Sequence, residues 1–248
     1  MIPAGERFDT HAHLDDARLD ADRDAVMARA TAAGVSGGLV PGLCASQWPR
    51  ARAVARAYGW RHAVGTHPAW LGEALAAGAP LVPAKAGDAA AIGECGLDAR
   101  IDVPMSAQVA ALHAHLARAG ETGLPLVLHC VGAHEVLLAE LRAHGPVRGV
   151  LHAYSGGVAR VDAYLRVGLH LSFGGAITWE GARRPVEALR ATPRERLLAE
   201  SDAPDQAPRP HRGRCEPAHL REVITAMEQL RGETLTSVLR ANAASLGW

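Results

Sequence analysis

The sequence predicts a single (β/α)8 barrel, the TIM-barrel architecture, over residues 1–248. Three observations predict it. Eight short β-branched or aliphatic runs recur along the chain, separated by longer alanine- and arginine-rich stretches of helical character. Eight such alternations in 248 residues suit a barrel of this kind, whose usual size is roughly 250 residues. Six of the eight runs end in a histidine or a carboxylate, and a barrel gathers its strand ends onto one rim. A doubly wound open sheet is the competing architecture, but no GxGxxG or Walker-type loop follows the first run.

Taken in order, the first strand is expected over residues 7–13 and ends in Asp9-Thr10-His11-Ala12-His13. An amphipathic stretch, 22–33, follows with its apolar positions at helical spacing, and Gly34 suits its termination. The second strand covers 35–41; the third, 61–67, ends in Gly65-Thr66-His67 ahead of Pro68. The fourth, 91–97, carries Gly93-Glu94-Cys95-Gly96-Leu97, with Asp98 next. A helix over 108–120 leads through Gly123 to the fifth strand, 124–130, which delivers His129. A helix over 135–143 stops near Gly145 before the sixth strand, 149–154, which carries His152. The seventh strand, 168–173, precedes the eighth, 196–202, which ends in Glu200-Ser201-Asp202. Residues 203–216, rich in proline and arginine, are the expected loop beyond it. No linker, repeat or low-complexity block interrupts the pattern.

Composition excludes several classes. Apolar residues make up 48% and charged residues 21%, enough apolar surface to offset the entropy of ordering, so a disordered chain is excluded. Acidic and basic side chains balance at 26 each, which argues against a sequence-blind nucleic-acid coat protein. Lys85 is the single lysine and alanine is abundant, a pattern of codon bias rather than function. Cys44, Cys95, Cys130 and Cys215 stand far apart with no CxxC pair, against a zinc knuckle or a disulfide framework and in keeping with a reducing compartment. The N-terminus has no apolar run of signal-peptide type, and no stretch reaches the roughly 18 apolar residues of a membrane helix. A cytoplasmic protein with no membrane contact and no obligate protein partner is expected.

The unusual count is 13 histidines beside three tyrosines and two phenylalanines. His11, His67, Glu94, His129, His152 and Asp202 come from six different strand ends on one rim. His13 joins them, because side chains at i and i+2 of a strand share a face and can grip one ion together. Neutral imidazole and carboxylate are the ligands that zinc, manganese and similar divalent ions accept. A lone buried histidine is more often a satisfied core residue than a ligand. Six such residues at strand ends instead coincide with the place where barrel chemistry occurs. His113 and His115 fall inside a helix, and His62, His144 and His170 at strand beginnings or in loops; these are expected to be structural or exposed.

The same residues carry a family resemblance. Asp9-Thr10-His11-Ala12-His13-Leu14-Asp15, Gly65-Thr66-His67-Pro68, Ile92-Gly93-Glu94-Cys95-Gly96-Leu97-Asp98 and Leu124-Pro125-Leu126-Val127-Leu128-His129 fill the first half. His152-Ala153-Tyr154-Ser155-Gly156-Gly157, Glu200-Ser201-Asp202-Ala203-Pro204, Arg214-Cys215-Glu216-Pro217 and Asn242 fill the second. In order and spacing the chain resembles the TatD family of metal-dependent hydrolases, among the amidohydrolase-like barrels. That resemblance implies two divalent ions, magnesium, manganese or zinc. His11, His13 and Asp202 would hold one, His129 and His152 the other, with Glu94 bridging both. It further implies a hydroxide shared by the ions as nucleophile, with Asp202 accepting the water's proton. The implied substrate is a phosphodiester of single-stranded DNA or RNA, trimmed from the 3′ end. His67 is the candidate for contacting the scissile phosphate or leaving oxygen. Glu200 and Asp98 are expected to orient ligands or anchor loops, and Arg212 and Arg214 to offer charge to a backbone phosphate.

The chain also departs from that pattern. Related sequences carry serine or threonine and then arginine after the fifth-strand histidine, whereas this chain reads His129-Cys130-Val131. Valine cannot make the bidentate phosphate contact of a guanidinium. Ala99-Arg100 stand where a tyrosine is common, and Cys215 where asparagine is common. Aromatic platforms for bases near strand ends are limited to Trp70, Tyr154 and Trp179. The leading expectation is a two-metal 3′–5′ exodeoxyribonuclease. The alternative keeps the metals and hydrolyses an ester or amide, a small ester or an aminoacyl-tRNA among them. A third reading is a barrel that binds without catalysis.

Overall fold

In the computed structural model, which describes residues 6–248, eight parallel strands follow one another around one sheet in sequence order. They are β1 (Arg7–Asp9), β2 (Val35–Val40), β3 (Arg61–Val64), β4 (Ala91–Asp98), β5 (Leu126–Val131), β6 (Gly149–Leu151), β7 (Leu169–Phe173) and β8 (Leu197–Ala199). Backbone bonds beyond the ladders close the ring between its first and last strands. Thr10 N–H donates to Ala199 O at 3.2 Å, Asp202 N–H to His11 O at 2.9 Å, and His13 N–H to Ala203 O at 2.7 Å. The carboxylate of Asp9 reinforces the seam by accepting from Ser201 N at 2.9 Å.

The helices are α1 (Arg23–Ala32), α2 (Trp48–Ala57), α3 (Pro68–Ala76), α4 (Met105–Thr122), α5 (His134–His144), α6 (Val161–Arg166), α7 (Arg183–Ala191), α8 (Leu220–Arg231) and α9 (Thr236–Ser245). Local chemistry sets several of their ends. Pro68 opens α3, where a missing N–H is harmless and its fixed φ suits the helix. Gly123 closes α4 at φ 68°, a left-handed turn that other residues resist. His144 is the last residue of α5, a helix end and not the loop or strand start expected of it.

Two apolar clusters sit on opposite sides of the strands. The larger one lies between strands and helices and includes Ile92, Leu128, Leu171, Leu112, Leu137 and Met227. The smaller joins Phe8, Leu39, Val127, Val150 and Leu198 from the strands to Ala243, Leu246 and Trp248 at and beyond the end of α9. It packs the strands against the chain's last residues, where the Trp248 ring stacks on Phe8. Each fully buried Leu or Phe here contributes about 1.5–3 kcal/mol relative to exposure. With the base filled by apolar groups, the opposite rim is the end left for polar chemistry.

The strands stop earlier than the apolar pattern predicts at several of these ends. β1 ends at Asp9 instead of residue 13, β3 at Val64 instead of 67, β6 at Leu151 instead of 154, and β8 at Ala199 instead of 202. The backbone leaves the sheet where the polar residues begin: Ala153 and Asp202 adopt φ of 43° and 54°. Left-handed conformations at non-glycine residues cost about 1–3 kcal/mol, so the surrounding rim must hold them there.

Candidate metal centre

All seven sequence-predicted site residues stand on the C-terminal rim. Glu94 and His129 lie within β4 and β5, His152 directly follows β6, and His11, His13 and Asp202 follow β1 and β8. His67 caps α3 just beyond β3. Placement of His11 and His13 beyond the strand means that the turn, not strand alternation, brings their Nε2 atoms to 3.2 Å of one another.

Glu94 divides the cluster. Its Oε2 faces His11 Nε2 at 3.3 Å and His13 Nε2 at 3.7 Å. Its Oε1 faces His152 Nε2 at 2.8 Å, His129 Nδ1 at 3.2 Å and His67 Nε2 at 3.4 Å. Asp202 Oδ1 stands on the Oε2 side, 3.7 Å from His11 Nε2 and 3.8 Å from His13 Nε2. Glu94, His11, His152 and Asp202 are buried, His13, His67 and His129 are half-buried, and Glu94 Oε2 receives no hydrogen bond.

A divalent cation fits this donor set. A tetrahedron with bonds of about 2.1 Å has edges of about 3.4 Å, and most of these donor separations cluster around that value. Three donor sets gather within 4.8 Å: His11, His13 and Glu94; His67, Glu94 and His129; His11, His152 and Glu200. A buried carboxylate oxygen without a donor is costly unless a cation completes it. The geometry also draws His67 and Glu200 closer to the ligand positions than their sequence-expected roles implied.

Other residues hold the ring orientations. Asp98 Oδ2 stands 3.3 Å from His129 Nε2, and its Oδ1 accepts from Arg100 N at 2.8 Å. Glu200, fully buried, accepts from Ala153 N at 2.7 Å and lies 3.4 Å from His152 Nδ1. Gln206 donates to Asp202 Oδ2, turning Oδ1 towards the histidines. His67 Nδ1 accepts from Ala69 N at 3.0 Å, so its neutral ring carries the proton on Nε2, the atom that faces Glu94.

Electrostatics agree with a cation site. Burial, aided by His11, lowers the His13 pKa to about 3, and burial lowers that of His67 to about 4. Both rings are therefore neutral at physiological pH: His13 has a lone pair to offer a cation, whereas His67, its Nδ1 engaged by Ala69 N, presents an N–H at Nε2. Burial pushes the Glu94 carboxyl upward, but His152, His67 and His11 outweigh it and hold the group well below the usual range. Burial raises Asp202 to about 6, near the working range of a general base.

The remaining expectations divide. His115 is structural: its Nε2 accepts from Thr66 N at 2.9 Å and its Nδ1 meets Ala111 O at 2.7 Å. His113 pairs with Glu140 on the surface, and His62 and His170 are buried in strands. Asn242 ties α9 to the start of β8 through Arg194 O and Leu197 O, both at 2.8 Å. Arg214 is bound to Asp22 at 2.6 and 2.7 Å and to Glu216, so its charge is committed within the fold. Arg212 lies over the Trp179 ring. Tyr154 is buried and donates to Gly157 O, which removes it as a base-stacking platform.

Residues that the sequence pattern did not single out also reach the site. A cleft of about 800 Å³ opens beside His129, His152 and Asp202, and His134, Gln206, Arg160 and Arg184 line it. His134, five positions after His129 at the start of α5, binds Tyr164 Oη through Nδ1 at 2.8 Å. Its position just past a polar strand end was the signal available for it. Gln206 and the arginines come from loops and helix starts, for which no periodicity exists.

The model of TatD-related DNases matches residues 8–246. A Bacillus subtilis (strain 168) protein, the uncharacterized metal-dependent hydrolase YabD, is 32% identical over 258 residues, covering 96% of this chain and 98% of its own. The 3′–5′ ssDNA/RNA exonuclease TatD of Klebsiella pneumoniae (strain 342) is 37% identical over 243 residues, covering 91% of this chain and 90% of its own. Among solved structures, YJJV, a TatD homologue from Escherichia coli K12, superposes with a TM-score of 0.86 at 28% identity, covering 97% of each chain.

Proposed function

The chain belongs to the family of TatD-related DNases, and on that premise we propose that it is a metal-dependent hydrolase that shortens single-stranded DNA or RNA from the 3′ end. The observation that carries this reading is the division of Glu94, one oxygen facing each half of a histidine-rich cluster. In this reading His11, His13 and Asp202 hold one divalent ion, His129 and His152 a second, and Glu94 both. Bound ions would supply Lewis acidity and a water acidic enough to attack a phosphodiester at neutral pH. Magnesium, manganese and zinc all suit the donor set.

The chain's own groups do the rest. Asp98 bonds His129 Nε2 and leaves Nδ1 aimed at the cluster. Against the cost of burial, Glu94 and Glu200, the latter 3.4 Å from His152 Nδ1, raise the His152 pKa well above its usual value, so a bound cation would displace a proton there. Asp202, whose Oδ2 accepts from Gln206, stands beside the ion site as the group placed to take the water's proton. His67, with its proton on Nε2, donates to a non-bridging or leaving oxygen of the phosphate. The four cysteines are free and buried, which supports a reducing compartment such as the cytoplasm. Among the described residues no helix is long and apolar enough to cross a membrane. We read the whole chain as one catalytic domain without an obligate protein partner.

One observation favours the alternative of ester or amide hydrolysis, including deacylation of aminoacyl-tRNA. Val131, Phe173 and Ile177 give the cleft an apolar wall. Incubating a 5′-labelled single-stranded oligonucleotide with the protein and manganese, beside aryl ester and aminoacyl ester substrates, separates the two. The nuclease reading expects a ladder of products shortened from the 3′ end that chelator abolishes. Ester turnover with an intact oligonucleotide would replace it by the alternative.

A further inference from the structure

Arg100, Arg160 and Arg184 line the cleft beside the cluster. Two of them are already engaged. Arg160 donates to Glu135 Oε1 at 2.7 Å and to Gly156 O at 3.0 Å, and Arg100 Nε stands 3.5 Å from Asp98 Oδ1. Arg184 has no ion pair and no side-chain hydrogen bond among the described residues, and it is exposed.

Helix stability does not explain this residue. Arg184 stands in the first turn of α7, where the helix dipole opposes a cation. Its guanidinium instead reaches over the neighbouring loop, with Nε and Nη2 3.7 and 3.8 Å from the point where a Cβ on Gly157 would stand. Val131 lines the same cleft and offers a phosphate no donor. Across the cleft, α5 begins without a side-chain cap, and Gly132, Ala133 and His134 at its start line the opening. Its first N–H groups therefore add positive potential to the same space.

Resting on the nuclease reading above, we propose that Arg184 binds a backbone phosphate of the substrate strand next to the scissile one. Arg184 borders Gly157, five residues past His152, in the cleft that His129, His152 and Asp202 also line, which places the phosphate it would hold beside the one at the cluster. A guanidinium suits this task because its planar donors match two phosphate oxygens at once. The contact selects for substrates that carry at least two consecutive phosphates.

The test uses fluorescence anisotropy of a 5′-fluorescein-labelled hexathymidylate with the full chain in chelator, titrated at several salt concentrations. Arg184→Met is expected to weaken binding about tenfold, as removal of a charge-assisted hydrogen bond does. The slope of log affinity against log salt should fall by about 0.7, the value for one phosphate fewer neutralised on a single strand. Arg184→Lys should restore the slope, and Arg183→Met, which removes an adjacent charge outside the cleft, should change neither quantity. An unchanged slope in Arg184→Met, an equal weakening in Arg183→Met, or no binding by the native protein would overturn the proposal. Turnover of the same oligonucleotide with manganese reads the nuclease assignment separately. Turnover with an unchanged slope removes only Arg184, whereas an Arg184-dependent slope without turnover contradicts only the nuclease.

Discussion

Glu94 is buried among imidazoles with an oxygen turned to each side, and the histidines of the proposed ligand set divide by which of those oxygens they face. Residues behind the ligands set how well those positions are kept. Asp98 holds His129 through Nε2, leaving Nδ1 to face Glu94. Asp98→Asn should keep the fold, because Gln108 still bonds the Asp98 backbone at 2.7 and 3.0 Å. It should weaken metal binding about 10- to 100-fold by releasing the ring, as measured by competition with a chromophoric chelator. Affinity equal to that of the native chain would show that Asp98 does not orient His129. At this scale the sequence was most informative: HxH, the glutamate of the fourth strand, and the histidines and aspartate at later strand ends are all adjacent in space. Arg184 and Gln206 were not legible, because their neighbours lie in other loops.

β4 is the element on which the site depends most. All eight of its residues are buried, and it presents Glu94 and Asp98 four positions apart. To do so it runs so close to β5 that Gly96, at φ 141°, has no room for a side chain: a Cβ there would collide with the His129 carbonyl. Gly96→Ala should therefore destabilise the protein by about 2–3 kcal/mol, combining an unfavourable φ with that collision, and should displace His129. Urea unfolding checks the first effect, and a midpoint equal to the native one would show that the two strands have slack. The existence and order of the eight strands were legible from apolar runs alone. Their ends were not, because the polar residues that follow β1, β3, β6 and β8 were read as the last residues of the strands, whereas the backbone turns out of the sheet just before them. Apolar periodicity reports burial, and the rim residues are buried without being in the ladder.

The whole molecule separates its two ends by chemistry. Trp248 and α9 seal the base with apolar side chains, and the rim collects the histidines and carboxylates around one cleft. This division explains why a neutral chain carries a strongly localised site. The balance of 26 acidic and 26 basic residues hides a cluster of buried and half-buried imidazoles and a cleft wall whose Arg184 has no ion pair among the described residues.

If one carboxylate organises two ion sites, removing its charge must change how many ions the protein holds. Isothermal titration of metal-free protein with manganese, comparing the native chain with Glu94→Gln, reads that number. The native protein should take up two equivalents, and Glu94→Gln should lose at least one of them or bind both at least about 100-fold more weakly. Uptake of a single ion by the native protein, or two ions held equally well by Glu94→Gln, would mean that Glu94 does not join two sites.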